Sequence, residues 1–330
     1  MPTLLDNLET PVAEGWNRPT PTTPAERLRT TMAACRVQFT WWGVQRALTA
    51  EQKAQAAQAF DAEGQFLSAG KKLLETKHTA FRAVTAIRTK IVDTWKGLSL
   101  PFPEPGVRLI KQEDLASFDH MMTDYRAELD DAVANLDRHF DELKRAASLR
   151  LGSLFNPGDY PETLRGLFGV AWDYPAIDPP DYLVQLSPEL YQREQERVRA
   201  RFEEAVRLAE QAFLEDFARL VGHLTERITG TNDDGTPKVF RDSAVENLDS
   251  FFDRFRSLNV RSNQQLDDLV TQAQRAVRNV GAQDLRDSEN LRSQVATQLS
   301  RVQASLDAML VDRPRRRILR GPAPAAGTES

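Results

Sequence analysis

With 330 residues, 41% of them hydrophobic and 28% charged, the chain is long enough to bury a large core and carries slightly more charge than an average compact globule. Its formal net charge of −5 disfavours general nucleic-acid binding, which needs concentrated Lys and Arg, and no apolar run is long enough to span a membrane. The single cysteine, Cys35, excludes an intramolecular disulfide, so we expect a cytoplasmic protein in a reducing compartment.

Two N-terminal capping boxes predict where the first helices begin. Residues 1–22 hold four prolines and predict an irregular arm. Thr23-Pro24-Ala25-Glu26 then places a threonine N-cap three residues before a glutamate, and Thr49-Ala50-Glu51-Gln52 repeats this arrangement with glutamine. Helical spacing of apolar residues extends the first predicted helix to about Ala47 and the second to Gly97.

Long helices are also predicted on both sides of a proline-rich crossover. Apolar residues step by three or four from Leu115 to Leu154, as in a long bundle or coiled coil. Ser187-Pro188 begins a further helix that continues to Gly230, roughly 60 Å. Prolines and aromatic residues fill the crossover at 156–187. Helices of matching length with short connectors lie antiparallel, so residues 23–230 predict a long-helix bundle.

The C-terminal third changes character. Ser243 and Glu246 suggest a capping box for the first of several shorter helices, and the predicted helical segment spans 243–311. Residues 312–330 are predicted to form a basic and then disordered tail. The predicted fold class is therefore all-α, an elongated antiparallel bundle of coiled-coil-like helices with a smaller C-terminal helical group. Whether that group packs on the bundle or forms a separate domain stays open.

Local motifs assign no catalytic, cofactor-binding or metal-binding residue. Gly64, Gly70 and Lys71 lack the spacing and the strand–loop–helix context of a phosphate loop. Glu75 and His78 have the Glu-x-x-His spacing of di-metal bundles, but a second such pair is missing from the sequence. We therefore expect neither a metal nor a cofactor. An enzyme whose site assembles from distant residues stays open as an alternative, because such sites need no local motif.

Two groups of residues are the candidates for partner binding. Aromatic residues beside prolines offer large contact areas with a polar handle, and loops often carry function. Clustered arginines after the last predicted helix have the charge needed for nucleic acid or an acidic protein surface. The candidates are Trp41, Trp42, Trp172, Tyr174, Tyr182, Arg313, Arg315, Arg316 and Arg317. The segment 111–186 has a net charge of −8, and its acidic helix face is a further place where a basic partner could dock.

The order of elements resembles that of long-helix proteins of bacteria and phages that have no named activity. The features that carry the resemblance are the segment LPFPEPGVRLI, the acidic heptad-like helix after it and the Trp/Pro crossover, over about residues 30–230. The resemblance implies an accessory subunit. The leading hypothesis is a non-enzymatic scaffold or adaptor that binds protein partners, or further copies of itself. The alternative is a nucleic-acid-associated protein that uses the arginine tail.

Overall fold

The protein combines long helices with two antiparallel sheets, so the prediction of an all-α helical bundle is wrong. The computed structural model describes residues 23–230 and 242–311. Within these ranges the helices are α1 (Pro24–Thr31), α2 (Ala50–Gln58), α3 (Thr79–Gly97), α4 (Leu115–Arg138), α5 (Phe140–Leu151), α6 (Tyr182–Leu186), α7 (Pro188–Thr229), α8 (Ser243–Leu258), α9 (Gln264–Val277), α10 (Ala282–Asp287) and α11 (Glu289–Val311). The strands are β1 (Met32–Trp41), β2 (Gln45–Ala47), β3 (Gly70–Lys72), β4 (Ser99–Pro101), β5 (Val107–Lys111) and β6 (Phe168–Asp173).

Strand β1 lies inside a four-stranded antiparallel sheet of order β4-β5-β1-β6. Its first half pairs with β5, with Met32 opposite Lys111, and its second half pairs with β6, with Arg36 opposite Asp173. Both partners of β1 are distant in sequence, and β6 follows it by more than a hundred residues. The sheet therefore joins the N-terminal region to the crossover.

The predicted helix from Thr23 to Ala47 is wrong after residue 31, because the chain continues as strand β1. Met32 and Ala34 face one hydrophobic core, whereas Cys35 and Val37 face another. A strand that is covered on both faces shows a continuous apolar run instead of the alternation of a half-exposed strand. Such a run cannot be distinguished from a buried helix by periodicity.

The prediction of one continuous helix from Thr49 to Gly97 is wrong, because much of this segment belongs to a small substructure. We call it the hairpin lobe, residues 45–72. It consists of β2, α2, a short 3-10 helix at Gly64–Phe66, and β3, which pairs with β2. Gly64 allows the 3-10 helix to approach α2, since an added Cβ would lie 3.2 Å from the Cα of Ala54. The second half of the predicted helix is present as α3, which begins at Thr79.

Two hydrophobic cores lie on opposite faces of the main sheet. The first joins β4, β5 and the start of β1 to α1, α7, α8, α9 and α11. The second joins the other face to α3, α4 and α5. The C-terminal helices thus share a core with α7. The predicted domain boundaries are not tested by this packing and stay predictions.

Several local predictions are confirmed. Both threonine capping boxes are present, at Thr23 and at Thr49. Helix α7 runs for 42 residues from Pro188, with the Ser187 side chain accepting a hydrogen bond from Leu190 N–H.

The capping box predicted at Ser243 is wrong, because α8 begins after Asp242 without a side-chain cap. Among the described residues, no helix is both long and apolar enough to cross a membrane.

Candidate functional site

The last part of the crossover, residues 174–187, connects β6 to α7. Its middle contacts α1 and the first core, and its end is exposed to solvent. The Arg29 guanidinium of α1 lies 2.8 Å from the Asp178 carboxylate. Ile177 packs against the first core. Prolines at 175, 179 and 180 restrict the backbone around these anchors. The crossover is therefore held against α1 before it enters α6.

Helix α6 presents three exposed apolar side chains to solvent. The exposed fractions are 60% for Tyr182, 45% for Val184 and 76% for Leu186, and we call these three residues the α6 ridge. Single exposed apolar side chains are ordinary on a protein surface, whereas adjoining ones are typical of an interaction site, and Tyr182 and Leu186, four residues apart, share one face of α6. The α6 ridge is the main exposed apolar feature of the crossover.

The surroundings of the α6 ridge are acidic. No Lys or Arg occurs between Arg165 and Arg193, and four carboxylates do. Two of them are paired, Asp173 with Arg36 and Asp178 with Arg29. The other two, Asp181 and Glu189, flank α6, and neither forms an ion pair within the described parts of the chain. An apolar ridge between unpaired carboxylates favours a partner that is apolar and positively charged.

A groove between α1 and α7 adjoins the anchored part of the crossover. Its volume is about 520 Å³, and Arg29, which holds Asp178, is part of its wall. Apolar side chains from both helices contribute to the lining, among them Ala25, Phe202 and Val206. Residues 187–191 separate the α6 ridge from Gln192, the first residue of α7 that lines this groove. The groove and the α6 ridge are therefore separated by about the first turn of α7.

Trp172 and Tyr174 connect the end of β6 to α4. Trp172 Nε1 donates to Asp119 Oδ1 at 2.7 Å, and the Tyr174 hydroxyl lies 3.4 Å from the same oxygen. The Arg126 guanidinium lies 5.1 Å from the Trp172 ring centroid. Burial, and then the charge of Asp119, raise the pKa of Tyr174 to about 12. These two candidate partner-binding residues position the crossover, and Tyr174 also stays 40% exposed.

Trp41 and Trp42 lie at the other end of the sheet, against the second core. The Trp41 ring meets Phe168 edge to face at 4.9 Å, and the Arg88 guanidinium lies 4.7 Å from the Trp41 ring centroid. Trp42 meets the ring of Phe140 at 6.1 Å. Both tryptophans therefore pack against the second core, whereas α6 packs against α7.

The residues with phosphate-loop or metal-ligand spacing have structural partners. Lys71 is buried, with Nζ 2.7 Å from Asp159 Oδ2 and donating to the Leu154 carbonyl at 2.7 Å. Glu75 is paired with an arginine of α5, and a hydrogen bond from the Lys77 backbone N–H lowers its pKa. His78 accepts a hydrogen bond from Ala80 N–H and caps α3. Within the described ranges, no three His, Cys, Asp or Glu side chains are grouped to hold a metal.

A partly buried group of polar side chains also lies beside the first core. Arg108 of β5 donates to the hydroxyl and the carbonyl of Ser99 at 2.7 and 2.8 Å. Burial, and then the nearby charge of Arg254, lower the pKa of Arg108 to about 10. Asp216 of α7 accepts from Arg254 at 3.0 Å. These bonds tie β4 to β5 and α7 to α8, and we interpret both pairs as structural.

Sequence patterns pointed to Tyr182 but missed Val184 and Leu186, because their exposure depends on how α6 lies against α7. Arg313, Arg315, Arg316 and Arg317 lie outside the described residues, as does the predicted arm 1–22, so the nucleic-acid hypothesis stays a prediction. The enzyme alternative also stays a prediction. No family model, no curated protein and no solved structure matches this chain, and its function is inferred from its own geometry.

Proposed function

We propose that this chain is a non-enzymatic scaffold or adaptor subunit that binds an apolar, basic segment of a partner protein on the α6 ridge. The observation that carries the proposal is the exposure of Tyr182, Val184 and Leu186 within a stretch that holds carboxylates and no cations. A cytoplasmic location, expected from the single cysteine, is part of the proposal.

Charge and rigidity both support this assignment. A few anchor residues, tyrosine prominent among them, supply most of the binding energy in protein interfaces, and complementary charge guides the choice of partner. Asp181 and Glu189, on either side of α6, are placed to meet cations that flank an apolar anchor. Ile177 packs on the first core and Arg29 pairs with Asp178, so both contacts favour an ordered crossover for a partner to meet.

The binding test uses two helical peptides of matched length. One has leucine on one face and lysine on the other, and the second has glutamate in place of lysine. Fluorescence anisotropy should show binding of the lysine peptide only. Replacement of Leu186 with glutamate should weaken this binding at least about tenfold, because an anchor is lost and a charge is placed in the contact.

Leu149 provides the matched control. It is an apolar residue on α5 with an exposed fraction of 88%, and it is distant in sequence from α6. Leu149→Glu should leave the affinity for the lysine peptide unchanged. Equal binding of both peptides, or equal loss in the Leu186→Glu and Leu149→Glu variants, would show that the α6 ridge is not the docking surface.

A further inference from the structure

A second cleft lies where the start of β1, the end of β5 and the loop between α8 and α9 meet. Its volume is about 530 Å³. Met32 and Lys111 are opposite each other in the β1–β5 ladder and contribute to its lining, and residues 257–261 close the other side. The cleft is thus built from three segments that are distant in sequence and belongs to neither the α6 ridge nor the α1–α7 groove.

The floor of this cleft is apolar. Leu28, Met32, Leu258 and Val260 line it, and all four are buried members of the first core. Buried aliphatic side chains at the base of an open cleft provide a surface that favours an aliphatic group over water. A ligand of this cleft therefore carries an apolar part.

The rim of the cleft is positively charged, in a protein whose net charge is −5. Arg27, Lys111 and Arg261 line it together with a single carboxylate, Glu113. Lys111 Nζ lies 2.9 Å from Glu113 Oε1, and Arg27 Nη2 donates to the Val260 carbonyl at 2.8 Å. The Arg261 guanidinium forms no ion pair within the described parts of the chain. Positive charge is therefore in excess at this rim.

The backbone at Arg261 is held in an unusual conformation. Its φ angle of +50° lies in the left-handed region, which residues other than glycine rarely adopt. The Asn259 side chain maintains this conformation by accepting a hydrogen bond from Arg261 N–H at 2.9 Å, and it donates in turn to Asp267 at 2.6 Å. Next to it, the buried Ser262 hydroxyl has no hydrogen-bond partner. Strained residues held by their neighbours concentrate at binding sites.

We propose that this cleft binds a small amphipathic monoanion, a carboxylate with an aliphatic tail. The tail lies on the floor formed by Leu28, Met32, Leu258 and Val260, and the carboxylate meets Arg261 at the rim. The α1–α7 groove offers an internal contrast, because its three glutamates outnumber its two arginines. The two clefts are similar in volume, so the charge of the rim distinguishes their ligands.

Isothermal titration of the full chain with decanoate tests the proposal. Decanoate should bind at one site, whereas acetate, which lacks the tail, and decanol, which lacks the charge, should bind at least about tenfold more weakly. Arg261→Asn removes the charge and is suited to the left-handed conformation, since asparagine tolerates positive φ. This variant should lose about tenfold in affinity for decanoate.

Arg256→Gln is the matched control, because it removes an exposed arginine of α8 that pairs with Asp253 outside the cleft. It should bind decanoate like the unmodified protein. Circular dichroism of both variants confirms that they fold. Absence of decanoate binding, equal affinity for decanol, or an equal loss in the Arg256→Gln variant would each overturn the proposal.

Discussion

Replacing Lys71 with methionine tests whether this buried lysine is structural. Its Nζ lies 2.7 Å from Asp159 Oδ2 and also donates to the Leu154 carbonyl, and its side chain is only 7% exposed. Methionine keeps the length of the side chain and removes the charge. A role in phosphate binding would instead predict a variant of unchanged stability.

The magnitude follows from what the substitution leaves behind. Removing one partner of a fully buried ion pair costs about 3–5 kcal/mol, because the other charge stays buried and uncompensated. Asp159 retains 20% exposure, so water can solvate part of its carboxylate. The Leu154 carbonyl loses a donor as well. We therefore expect Lys71→Met to lower the free energy of unfolding by about 3 kcal/mol.

Urea unfolding followed by circular dichroism measures this difference. Lys72→Met is the control, since Lys72 is the exposed neighbour on β3 and its loss should change the stability by less than about 0.5 kcal/mol. The double variant Lys71→Met/Asp159→Asn should be more stable than Lys71→Met alone, because no unpaired charge remains. If Lys71→Met is as stable as Lys72→Met, the ion pair contributes nothing and the reasoning is refuted.

Three further predictions follow from local geometry. Phe217 is fully buried and stacks on Phe251 with ring centroids 5.0 Å apart, so Phe217→Ala should cost about 3–5 kcal/mol in a urea titration, and a loss below about 1 kcal/mol would contradict the packing. Burial raises the pKa of Cys35 to about 12 from an ordinary 9.0, so its thiol should react with Ellman's reagent only after unfolding. Because the native thiol keeps a proton that the unfolded chain releases, stability should fall as pH rises from about 9 to 12. Cys35→Ala should reduce that slope without abolishing it, since the pKa of Tyr174 is raised over part of the same range. Gly64→Ala places a Cβ 3.2 Å from the Cα of Ala54, so it should speed amide hydrogen exchange in the hairpin lobe while α7 stays protected, and uniform exchange rates would argue against a local effect.

Features that depend on neighbouring residues in the chain could be predicted. The capping boxes at Thr23 and Thr49 each need only residues three apart, and both are present. Helix α7 was predictable because Ser187 and Pro188 define its start and an apolar period continues to Gly230. In each case the hydrogen bonds that form the element lie within the element itself.

Features that depend on distant parts of the chain could not be predicted. Strand β1 has the same apolar residues as a buried helix, and its identity is decided by pairing with β5 and β6, which lie far along the chain. The apolar spacing predicted from Leu115 to Leu154 is present in both α4 and α5. The helix breaks between them at His139, where no proline or glycine indicates a break. Period alone does not report such breaks.

The candidate sites show the same division. The crossover at 156–187 and Tyr182 could be identified from prolines and aromatic residues, because these restrict the backbone locally. The exposure of Leu186 and the meeting of Arg27, Lys111 and Arg261 around one cleft could not. The sequence by itself determined the capped helices, the acidic crossover and its aromatic residues. The tertiary structure decided which segments pair as strands and which side chains converge, because hydrogen bonds and burial between distant segments exist only once the chain has folded.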